Sequence, residues 1–430
     1  MLGPYVILGA VKPGSWSSRG VIAAWTLYDF ANSAFSAVIQ SSVYGPYYAG
    51  AVVGNESGRG DLLWGALVSL SMIIVALSSP VLGGVADHGG FRKRFLAAFT
   101  LVSVAATALM ATVGPGMVTR GFVLGVVGIV GFEAAVVYYN AYLPDIAPSH
   151  LLGRVSAWGF AVGYAGSLVA FLVALPFALA GAYWACFLSA ACLFAVFSLP
   201  AFIALPSDPA PRAPAAQAAL RGVRETFGTL ADLVHGEPFR HLRRFLIAYL
   251  VYEDGTNTVI YFSAVFASKT LGFSMADNIV LFAIVQVSAL AGAAVWAKPT
   301  DTRGPTFVVK CTLVQWTIVT VAAYFVQTPF QFRILAIIAG TGLGAIQAAS
   351  RTLMATLIPA GREAELFGFY AFVGKSGAIF GPLVFGGVSA ALGGNQRAAI
   401  IAIGGFFLTG LLLMRPVRPG VRQTPPRRAN

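Results

Sequence analysis

Long apolar runs dominate this chain and limit what it can fold into. A helix that crosses a bilayer needs about 20 mostly apolar residues, whereas a strand of a membrane barrel alternates polar and apolar residues over about 10. The runs here are too long and too uniformly apolar for barrel strands. Because every backbone N–H and C=O group in lipid needs an internal partner, we predict an all-α membrane protein with twelve transmembrane helices. The predicted spans are residues 22–48, 62–86, 94–114, 120–142, 155–179, 182–205, 245–268, 277–297, 305–326, 331–357, 365–391 and 396–414.

Composition supports a membrane protein and argues against several other classes. Of the 430 residues, 57% are hydrophobic and 10% are charged, whereas about 25% are charged in soluble domains. The net charge of +12 does not indicate nucleic-acid binding, because the basic residues lie in short stretches between the apolar runs. No P-loop, H-E-x-x-H motif or nucleophile elbow is present, so we do not expect an enzyme. We expect no cofactor or metal, since Cys186, Cys192 and Cys311 lie inside apolar runs without metal-ligand spacing.

The distribution of Lys and Arg predicts the orientation of the chain. If the N-terminus is cytoplasmic, the segments on that side hold 21 of the 28 basic residues, the other side holds five, and two fall within spans. The positive-inside rule then makes both termini cytoplasmic. No cleavable signal peptide is evident, so the first span is expected to act as the insertion signal. We predict a multi-pass protein of the cell membrane, plasma or inner.

A polar stretch divides the chain into two sets of six spans. Residues 206–243 are rich in Pro and Ala at their start, and residues 217–234 have the pattern of an amphipathic helix on the membrane surface. We therefore predict an N-terminal six-helix bundle at residues 1–205, a cytoplasmic linker at 206–243 and a C-terminal six-helix bundle at 244–430.

The two halves resemble each other in sequence. Asp29 to Ser33 in the first span and Asp254 to Thr258 in the seventh both read D-x-x-N-[ST], with an offset of 254 − 29 = 225. An alignment of Tyr28-Asp29 with Tyr252-Glu253 fits almost as well, so the register stays open. Asp87 and Asp301, in the loops after spans two and eight, differ by 301 − 87 = 214. The repeat predicts two pseudo-symmetric bundles, the plan of the major facilitator fold, with a substrate site between them near the bilayer midplane.

Polar side chains form a stripe along the first and the seventh span. An ionisable residue at membrane depth is a functional hypothesis by default, and spacings of three, four, seven and eleven residues lie on one helical face. We predict that both stripes line a solute path and that an Asp exchanges protons, although interhelical hydrogen bonding is an alternative. The candidates are Asp29, Asn32, Ser36 and Gln40 in the first span, and Asp254, Asn257 and Tyr261 in the seventh.

Span four carries two more polar candidates, Glu133 and Asn140, which lie seven residues apart on one face. Glu133 is the deeper of the two and is the stronger candidate for a proton site. The alternatives are a structural ion pair with Arg351 or a polar position near the outer end of the helix.

Spans ten and eleven carry the basic candidates. Gln347 and Arg351 are one turn apart, and Arg351 suits the carboxylate of an anionic or zwitterionic solute through two parallel hydrogen bonds. The alternatives for Arg351 are a gate or an ion pair with Glu133, Asp29 or Asp254. Lys375 lies within G-K-S-G, where it is expected to snorkel, close a gate or contact the solute.

The loop after span two predicts a gate. Major facilitator proteins carry the pattern G-x-x-x-D-x-x-G-x-[RK]-[RK] in this loop. Gly83 to Arg94 fit it, with His88 at the position where Arg is commonest in those proteins. We expect Asp87 to cap the end of a neighbouring helix, and the basic residues to pair with acidic groups in one conformer only. These basic residues are Arg92, Lys93 and Arg94. Asp301, in A-K-P-T-D-T-R-G, is the counterpart of Asp87 in the second half, within a degenerate motif.

Several motifs go beyond this general plan. They are W-x-x-Y-D-F-A-N-S-A-F at 25–35, Y-Y-N-A-Y-L-P at 138–144, G-F-A-V-G-Y at 159–164, F-L-I-A-Y at 245–249, Y-E-D-G-x-N-T at 252–258, G-x-x-Q-x-x-S-R at 344–351 and F-G-F-Y at 367–370. Together they resemble the signature of the vacuole effluxer (autophagy-related, Atg-type) family of major facilitators, over nearly the whole chain. The resemblance implies the major facilitator fold and, by analogy with fungal members, efflux of amino acids such as leucine. The short loops and compact size suggest a prokaryotic member.

These observations predict a secondary active transporter of small solutes that works by alternating access. An amino acid or related metabolite is the expected cargo, exported by a monomer, with protons as a hypothetical coupling ion. Without a nucleotide site, transport has to draw on a gradient. A sugar, a drug or a cell-wall fragment is the alternative cargo. A non-transporting membrane receptor is poorly supported, because no sizeable soluble domain is present.

Overall fold

A computed structural model of the chain describes residues 18–54, 59–208, 215–273, 275–377, 380–393 and 395–417. The described residues are almost entirely helical. Side-chain positions are described for most of them, but not for Tyr261, so this candidate lies outside the described side chains.

Six long helices form the first half of the chain. They are α1 (Ser18–Phe35), α2 (Arg59–Gly89), α3 (Arg92–Met110), α4 (Val118–Ala141), α5 (Leu152–Leu179) and α6 (Tyr183–Ala204). The first helix continues beyond Phe35 through two wider π-helical segments, Ser36–Ser42 and Tyr47–Val53, which flank a single turn at Tyr44–Pro46. π-Helical turns often mark functional positions within a helix. The first predicted span is therefore one interrupted helix rather than a regular one.

The second half begins with a helix in the linker and continues with seven more. They are α7 (Ala215–His235), α8 (Arg240–Leu271), α9 (Met275–Thr302), α10 (Pro305–Phe325), α11 (Pro329–Leu357), α12 (Glu363–Ser376), α13 (Phe380–Ala391) and α14 (Gln396–Leu413). The amphipathic segment predicted at 217–234 lies within α7. The predicted eleventh span, 365–391, corresponds to two helices, because α12 ends at Ser376 and α13 begins at Phe380.

Nine helices of the described segments are long and apolar enough to cross a membrane by themselves. The three predicted spans outside this group are the first, the seventh and the eleventh. Two of them are interrupted, and α8 carries the acidic pair Glu253 and Asp254 in its middle. Their departure from uniform apolarity fits helices that face an interior polar space rather than lipid.

Helix contacts repeat between the two halves. In the first half α1 packs on α6, α3 on α4 and α6, and α2 on α4; in the second half α8 packs on α14, α10 on α11 and α14, and α9 on α11. The halves meet where α2 packs on α12 and where α5 packs on α9. Each helix contact in the first half has a counterpart in the second half, and the two contacts between the halves are counterparts of each other. The two bundles are therefore related by a pseudo-twofold axis.

Small residues allow the halves to approach closely. A Cβ added to Gly368 of α12 would lie 2.4 Å from the carbonyl oxygen of Ser79, and one added to Gly83 of α2 would lie 2.3 Å from that of Ala364. These distances leave no room for a side chain, so backbone packs on backbone at this interface. It lies at the end of the bundle that carries α7 and the α2–α3 turn, which we call the linker end.

We predict that Gly368→Ala weakens this interface. The new methyl group meets backbone atoms of α2 that cannot rotate away, and overpacking of this kind costs about 1–3 kcal/mol. Thermal unfolding in detergent is expected to shift down by several degrees. Gly386→Ala on α13, where a Cβ meets nothing within 4 Å, is the matched control and is expected to leave unfolding unchanged. Equal melting temperatures for Gly368→Ala and wild type would contradict close packing here.

Candidate functional site

Arg351 of α11 reaches from the second half into the first and is almost fully buried. Its Nη1 donates to Asp29 Oδ2 at 3.2 Å and to Asn140 Oδ1 at 3.4 Å. Its Nε donates to Ser156 Oγ at 3.0 Å, and its Nη2 donates to the Ser156 carbonyl. Of the partners considered from sequence, the structure selects Asp29. A single guanidinium therefore joins α11 to α1, α4 and α5.

Three aromatic rings enclose the same guanidinium. Arg351 Cζ lies 4.0 Å from the ring centroid of Phe160, 4.9 Å from that of Trp25 and 5.7 Å from that of Tyr139. Trp25 and Tyr139 stack at 4.4 Å, and Trp25 Nε1 donates to the Tyr139 carbonyl at 2.9 Å. Sequence reasoning did not assign roles to Phe160 or Ser156. The only signal was that Phe160 lies in the G-F-A-V-G-Y motif, with Ser156 three residues before it.

A second ion pair crosses between the halves through Lys375 of α12. Its Nζ donates to Glu133 Oε1 of α4 at 2.8 Å, and Gln40 Nε2 donates to the same oxygen at 3.2 Å. Lys375 also interacts electrostatically with Glu253 of α8, which sequence reasoning did not include among the candidates. Glu133 is thus paired with Lys375 rather than with Arg351.

The Lys375–Glu133 contact has a neutral counterpart on the other side of the pseudo-twofold. Tyr164 of α5 donates its hydroxyl hydrogen to Gln347 Oε1 of α11. Glu133 and Gln347 differ by 347 − 133 = 214, the same offset that relates Asp87 to Asp301. Equivalent positions therefore carry an ion pair on one side and an uncharged hydrogen bond on the other.

The predicted stripe of α1 is partly assembled into this site. Asp29 and Asn32 are buried, and Asn32 Nδ2 donates to Asp29 Oδ1 at 3.3 Å. Gln40 contacts Glu133, as described above. Ser36 begins the first π-helical segment and is half-buried. Asp29, Asn32 and Gln40 thus lie at the interface between the halves.

The predicted stripe of α8 is used differently. Asp254 Oδ2 accepts from the backbone N–H of Phe380 at 3.0 Å, and Oδ1 accepts from that of Gly381 at 2.8 Å. The carboxylate therefore caps the N-terminus of α13, where the eleventh span is interrupted. The structure does not bring Asp254 to Arg351, and Asn257 is half-buried on the same helix.

Each D-x-x-N-[ST] segment packs against a glycine. A Cβ on Gly163 of α5 would meet Ser33 Oγ and the Asp29 carbonyl, and one on Gly381 of α13 would meet Thr258 Oγ1 and the Asp254 carbonyl. In both halves, an aspartate carbonyl and the hydroxyl group four residues later therefore contact a glycine of the fifth or the eleventh span.

Asp87 and Arg92 form a charged cluster that we call the first latch. Arg92 Nη2 donates to Asp87 Oδ1 at 2.8 Å and to Glu363 Oε2 at 2.9 Å, and Nη1 donates to Asp145 Oδ2 at 2.6 Å. Asp87 Oδ2 accepts from the backbone N–H of Glu365 at 2.9 Å. The latch holds α2 and α3 to the first turn of α12, where the positive end of the helix dipole favours a carboxylate.

Asp301 forms a second latch at the equivalent contact. Its Oδ1 accepts from the backbone N–H groups of Gly153 at 2.7 Å and Arg154 at 3.3 Å, and its Oδ2 lies 3.1 Å from Arg154 Nε. Asp301 thus caps α5 as Asp87 caps α12. The second motif is degenerate in sequence, but its aspartate performs the same local task.

The other two basic residues of the α2–α3 loop make different contacts in this conformer. The backbone N–H of Lys93 donates to Asp208, while its Nζ donates to the Leu205 carbonyl at 2.7 Å. The Arg94 guanidinium lies over the ring of Phe91. Successive residues of a helix point about 100° apart, so only Arg92 faces α12.

Both latches and the Arg351 cluster hold the halves together at the linker end, where Ser156 follows the second latch in α5 and Asn140 lies in the last turn of α4. Ser156 Oγ adds a hydrogen bond to the Ala348 carbonyl at 2.9 Å. The structure is therefore a conformer closed at the linker end. Within the described segments, no group of three or more His, Cys, Asp or Glu side chains is placed to hold a metal ion.

Sequence comparison places this arrangement among known transporters. The family described as "Vacuole effluxer Atg22 like" matches residues 65–419. The uncharacterized MFS-type transporter YxiO of Bacillus subtilis is 29% identical over 91% of this chain and 93% of its own length. Autophagy-related protein 22 of Pyricularia oryzae is 23% identical over 74% of this chain, which spans 60% of that longer protein.

Structural comparison supports the same fold. The human organic anion transporter MFSD10 (TETRAN) aligns with a TM-score of 0.73 at 16% identity, over 93% of this chain and all of that one. The proton:xylose symporter XylE aligns with a TM-score of 0.73 at 15% identity, over 95% and 97% of the two chains. The predicted twelve-helix major facilitator fold is confirmed, and the protein is a membrane transporter rather than an enzyme.

We predict strong energetic coupling between Arg351 and Asp29. Removing one partner leaves a buried charge uncompensated, which costs roughly 3–5 kcal/mol. Asp29→Asn and Arg351→Gln are each expected to destabilise by that order, whereas the double variant loses much less than their sum. The free energies of unfolding of the wild type, the two single variants and the double variant form a double-mutant cycle, which is measured by denaturant unfolding in detergent.

The control pair is Arg333–Asp277, which lies on α11 and α9 and is partly exposed. Exposed pairs are worth about 0–1 kcal/mol, so its cycle is expected to show little coupling. Additive losses at Arg351 and Asp29 would mean that the two charges are stabilised independently.

Proposed function

The chain belongs to the vacuole effluxer Atg22-like family, and we propose that it is a secondary active exporter of an amino acid or related small metabolite. The observation that carries the proposal is the Arg351–Asp29 ion pair, which is buried between two pseudo-symmetric bundles on the linker side of their interface. In the major facilitator plan the substrate binds between the same two halves, near the bilayer midplane. Alternating access then requires that cross-half contacts at the site be exchanged for contacts with the solute.

A zwitterion fits that exchange. Its carboxylate can replace Asp29 on the forked guanidinium of Arg351, and its ammonium group can take the place of Arg351 at Asp29. Because each buried charge keeps a partner of opposite sign, the ion pair opens without leaving a charge unpaired in a low-dielectric site. A solute with only one charge would leave either Asp29 or Arg351 uncompensated.

The alternative cargo, a sugar, a drug or a cell-wall fragment, has less support. Such a solute would need aromatic side chains that are free to stack on its rings. Tyr28, Tyr138, Tyr139 and Tyr252 are all fully buried in the protein core. Tyr139 also stacks on Trp25 beside Arg351, so these rings are engaged with other protein groups.

We further propose that the linker end faces the cytoplasm of a prokaryotic cell membrane. The excess of Lys and Arg in the linker and in the loops on its side supports this orientation. The two moving units are residues 1–205 and 244–430, joined by the linker at 206–243, and the chain acts as a monomer. In this orientation the described conformer is closed towards the cytoplasm.

We also propose that transport is coupled to protons, and the Glu133–Lys375 pair is the best-placed candidate for the coupling site. The pair bridges α4 and α12 and lies apart from the Arg351 cluster. Protonation of Glu133 would remove its charge and weaken its attraction to Lys375. Opening of the halves at this contact would thereby depend on the proton gradient.

Substrate class is tested by ligand screening followed by counterflow. We expect amino acids, and not sugars or dyes, to raise the melting temperature of the purified protein, because a ligand stabilises the state it binds. In proteoliposomes Arg351→Lys keeps the charge but loses the fork, so counterflow of the stabilising amino acid is expected to slow by about tenfold or more.

The matched control is Arg333→Lys on the same helix, whose ion pair with Asp277 is partly exposed and outside the site. Its counterflow is expected to equal that of wild type. Stabilisation by sugars alone, or equal counterflow in the two Lys variants, would refute the zwitterion site at Arg351.

Coupling is tested with Glu133→Gln. This variant keeps the hydrogen-bond acceptor for Lys375 but cannot exchange a proton in the relevant range. Counterflow, which needs no gradient, is expected to persist, whereas accumulation driven by an imposed pH gradient is lost. Glu237→Gln, at an exposed position in the linker, is the control. Proton-driven accumulation that survives in Glu133→Gln would exclude Glu133 as the coupling group.

A further inference from the structure

The linker helix α7 is docked on α2 rather than extended into solvent. Gly222 of α7 lies against Gly84 and Val85 of α2, and Thr226 Oγ1 lies 3.4 Å from the Pro80 carbonyl. A Cβ on Gly222 would fall 2.8 Å from backbone atoms of Val85. The linker thus has a defined seat on the last two turns of α2, immediately before the first latch.

Two polar contacts tie α7 to residues of that latch region. His88 Nε2 lies 2.5 Å from Glu225 Oε2, while its Nδ1 lies 2.8 Å from the Gly84 carbonyl. On the other half, Thr229 Oγ1 contacts both Glu365 Oε1 and Arg362 Nη2. Glu365 is the residue whose backbone N–H binds Asp87. A single helix in the linker therefore bridges α2 and α12 beside the first latch.

The opposite face of α7 is apolar and exposed. Leu220 is 72% exposed, Phe227 is 64% exposed and Leu230 is 45% exposed. Their spacing of seven and three residues places them on one stripe of the helix. Within the described residues, each of these side chains stays at least 45% exposed, although three large apolar side chains on one face are costly in water.

The helix α7 is seated close to exposed apolar residues of α2. Ile73 and Leu77 are among the exposed apolar residues of that helix, and Leu77 is one turn before Pro80, which contacts Thr226. Arg224 is exposed beside the stripe. An apolar stripe bordered by a basic residue, continuous with a membrane surface, has the chemistry of a helix that lies in the headgroup region of an anionic leaflet.

We propose that α7 is an interfacial helix whose Leu220, Phe227 and Leu230 insert into an anionic leaflet, and that this insertion braces the linker end closed through His88, Glu365 and Arg362. The proposal rests on the alternating-access function, since the brace has a purpose only if the linker end also opens. When α2 and α12 separate, α7 cannot keep both sets of contacts. Lipid binding that positions α7 on α2 and α12 therefore stabilises the closed conformer.

Depth is tested with nitroxide labels in the full chain, with Cys186, Cys192 and Cys311 replaced by alanine. A label at Phe227→Cys is expected to be accessible to oxygen and shielded from a water-soluble nickel complex in vesicles. A label at Asp232→Cys, on another face of α7, is expected to show the reverse. Equal access of the nickel complex at both positions would overturn the proposal.

Closure is tested with a label pair at Ser149→Cys and Pro416→Cys, exposed positions of the two halves at the linker end. Vesicles of phosphatidylcholine alone are compared with vesicles containing about one third phosphatidylglycerol. One basic side chain near an anionic surface is worth a shift on the order of fivefold, so the ratio of short to long distances is expected to rise by up to about that factor. Phe227→Ser is expected to abolish the rise.

The matched control is Phe325→Ser, which replaces an exposed phenylalanine at the C-terminal end of α10. This variant is expected to keep the lipid-dependent rise in the ratio of short to long distances. A distance distribution that is the same in both lipids, or a Phe227→Ser variant that responds as wild type does, would overturn the brace. Neither the accessibility nor the distance measurement uses a substrate, so failure of this proposal can be told apart from failure of the proposed transport function.

A measurement without labels guards against loss of folding in the cysteine variants. Hydrogen exchange of the α7 amides in the unmodified chain is expected to be slower in the vesicles with phosphatidylglycerol than in those without. The helix α14, which is far along the chain from the linker, serves as the internal reference. Equal exchange of α7 in the two lipids would contradict the proposal.

Discussion

A guanidinium buried inside a membrane protein needs acceptors, and Arg351 finds all of those described on the opposite half. Asp29, Asn140 and Ser156 belong to three helices of the first bundle, while Arg351 belongs to the second. The desolvation cost of the charge is offset only while the halves stay together or while another anion takes the place of Asp29. The same interaction thus holds the closed conformer and defines what can release it.

Pseudo-symmetry of the fold is combined with asymmetric chemistry at the site. Glu133 and Gln347 occupy equivalent positions, but one meets Lys375 and the other meets Tyr164. Asp29 pairs with a cation, whereas Asp254 of the matching motif caps the broken eleventh span. The two halves have matched helix contacts, but equivalent positions carry different side chains. One side of the interface therefore has a charged pair and the other side has an uncharged hydrogen bond.

The contacts at the linker end follow a simpler rule. Asp87 and Asp301 each bind the first-turn amides of a helix in the opposite half, which are available only when that helix end is near. Close backbone packing at Gly83 and Gly368 brings the helix ends within reach. These contacts need few particular side chains, which explains why Asp301 keeps the same capping contact in a degenerate motif.

The sequence by itself determined the helical class, the twelve spans, the duplication and the position of the amphipathic linker helix. Each depends on hydrophobicity along a short segment, because lipid admits few solutions for an apolar run of this length. The sequence also identified most polar residues that meet between the halves. It could not choose between Asp29, Asp254 and Glu133 as partner of Arg351, or find Ser156 and Phe160. Those choices depend on helix rotation and on which helices cross the interface, which only the packed tertiary structure decides.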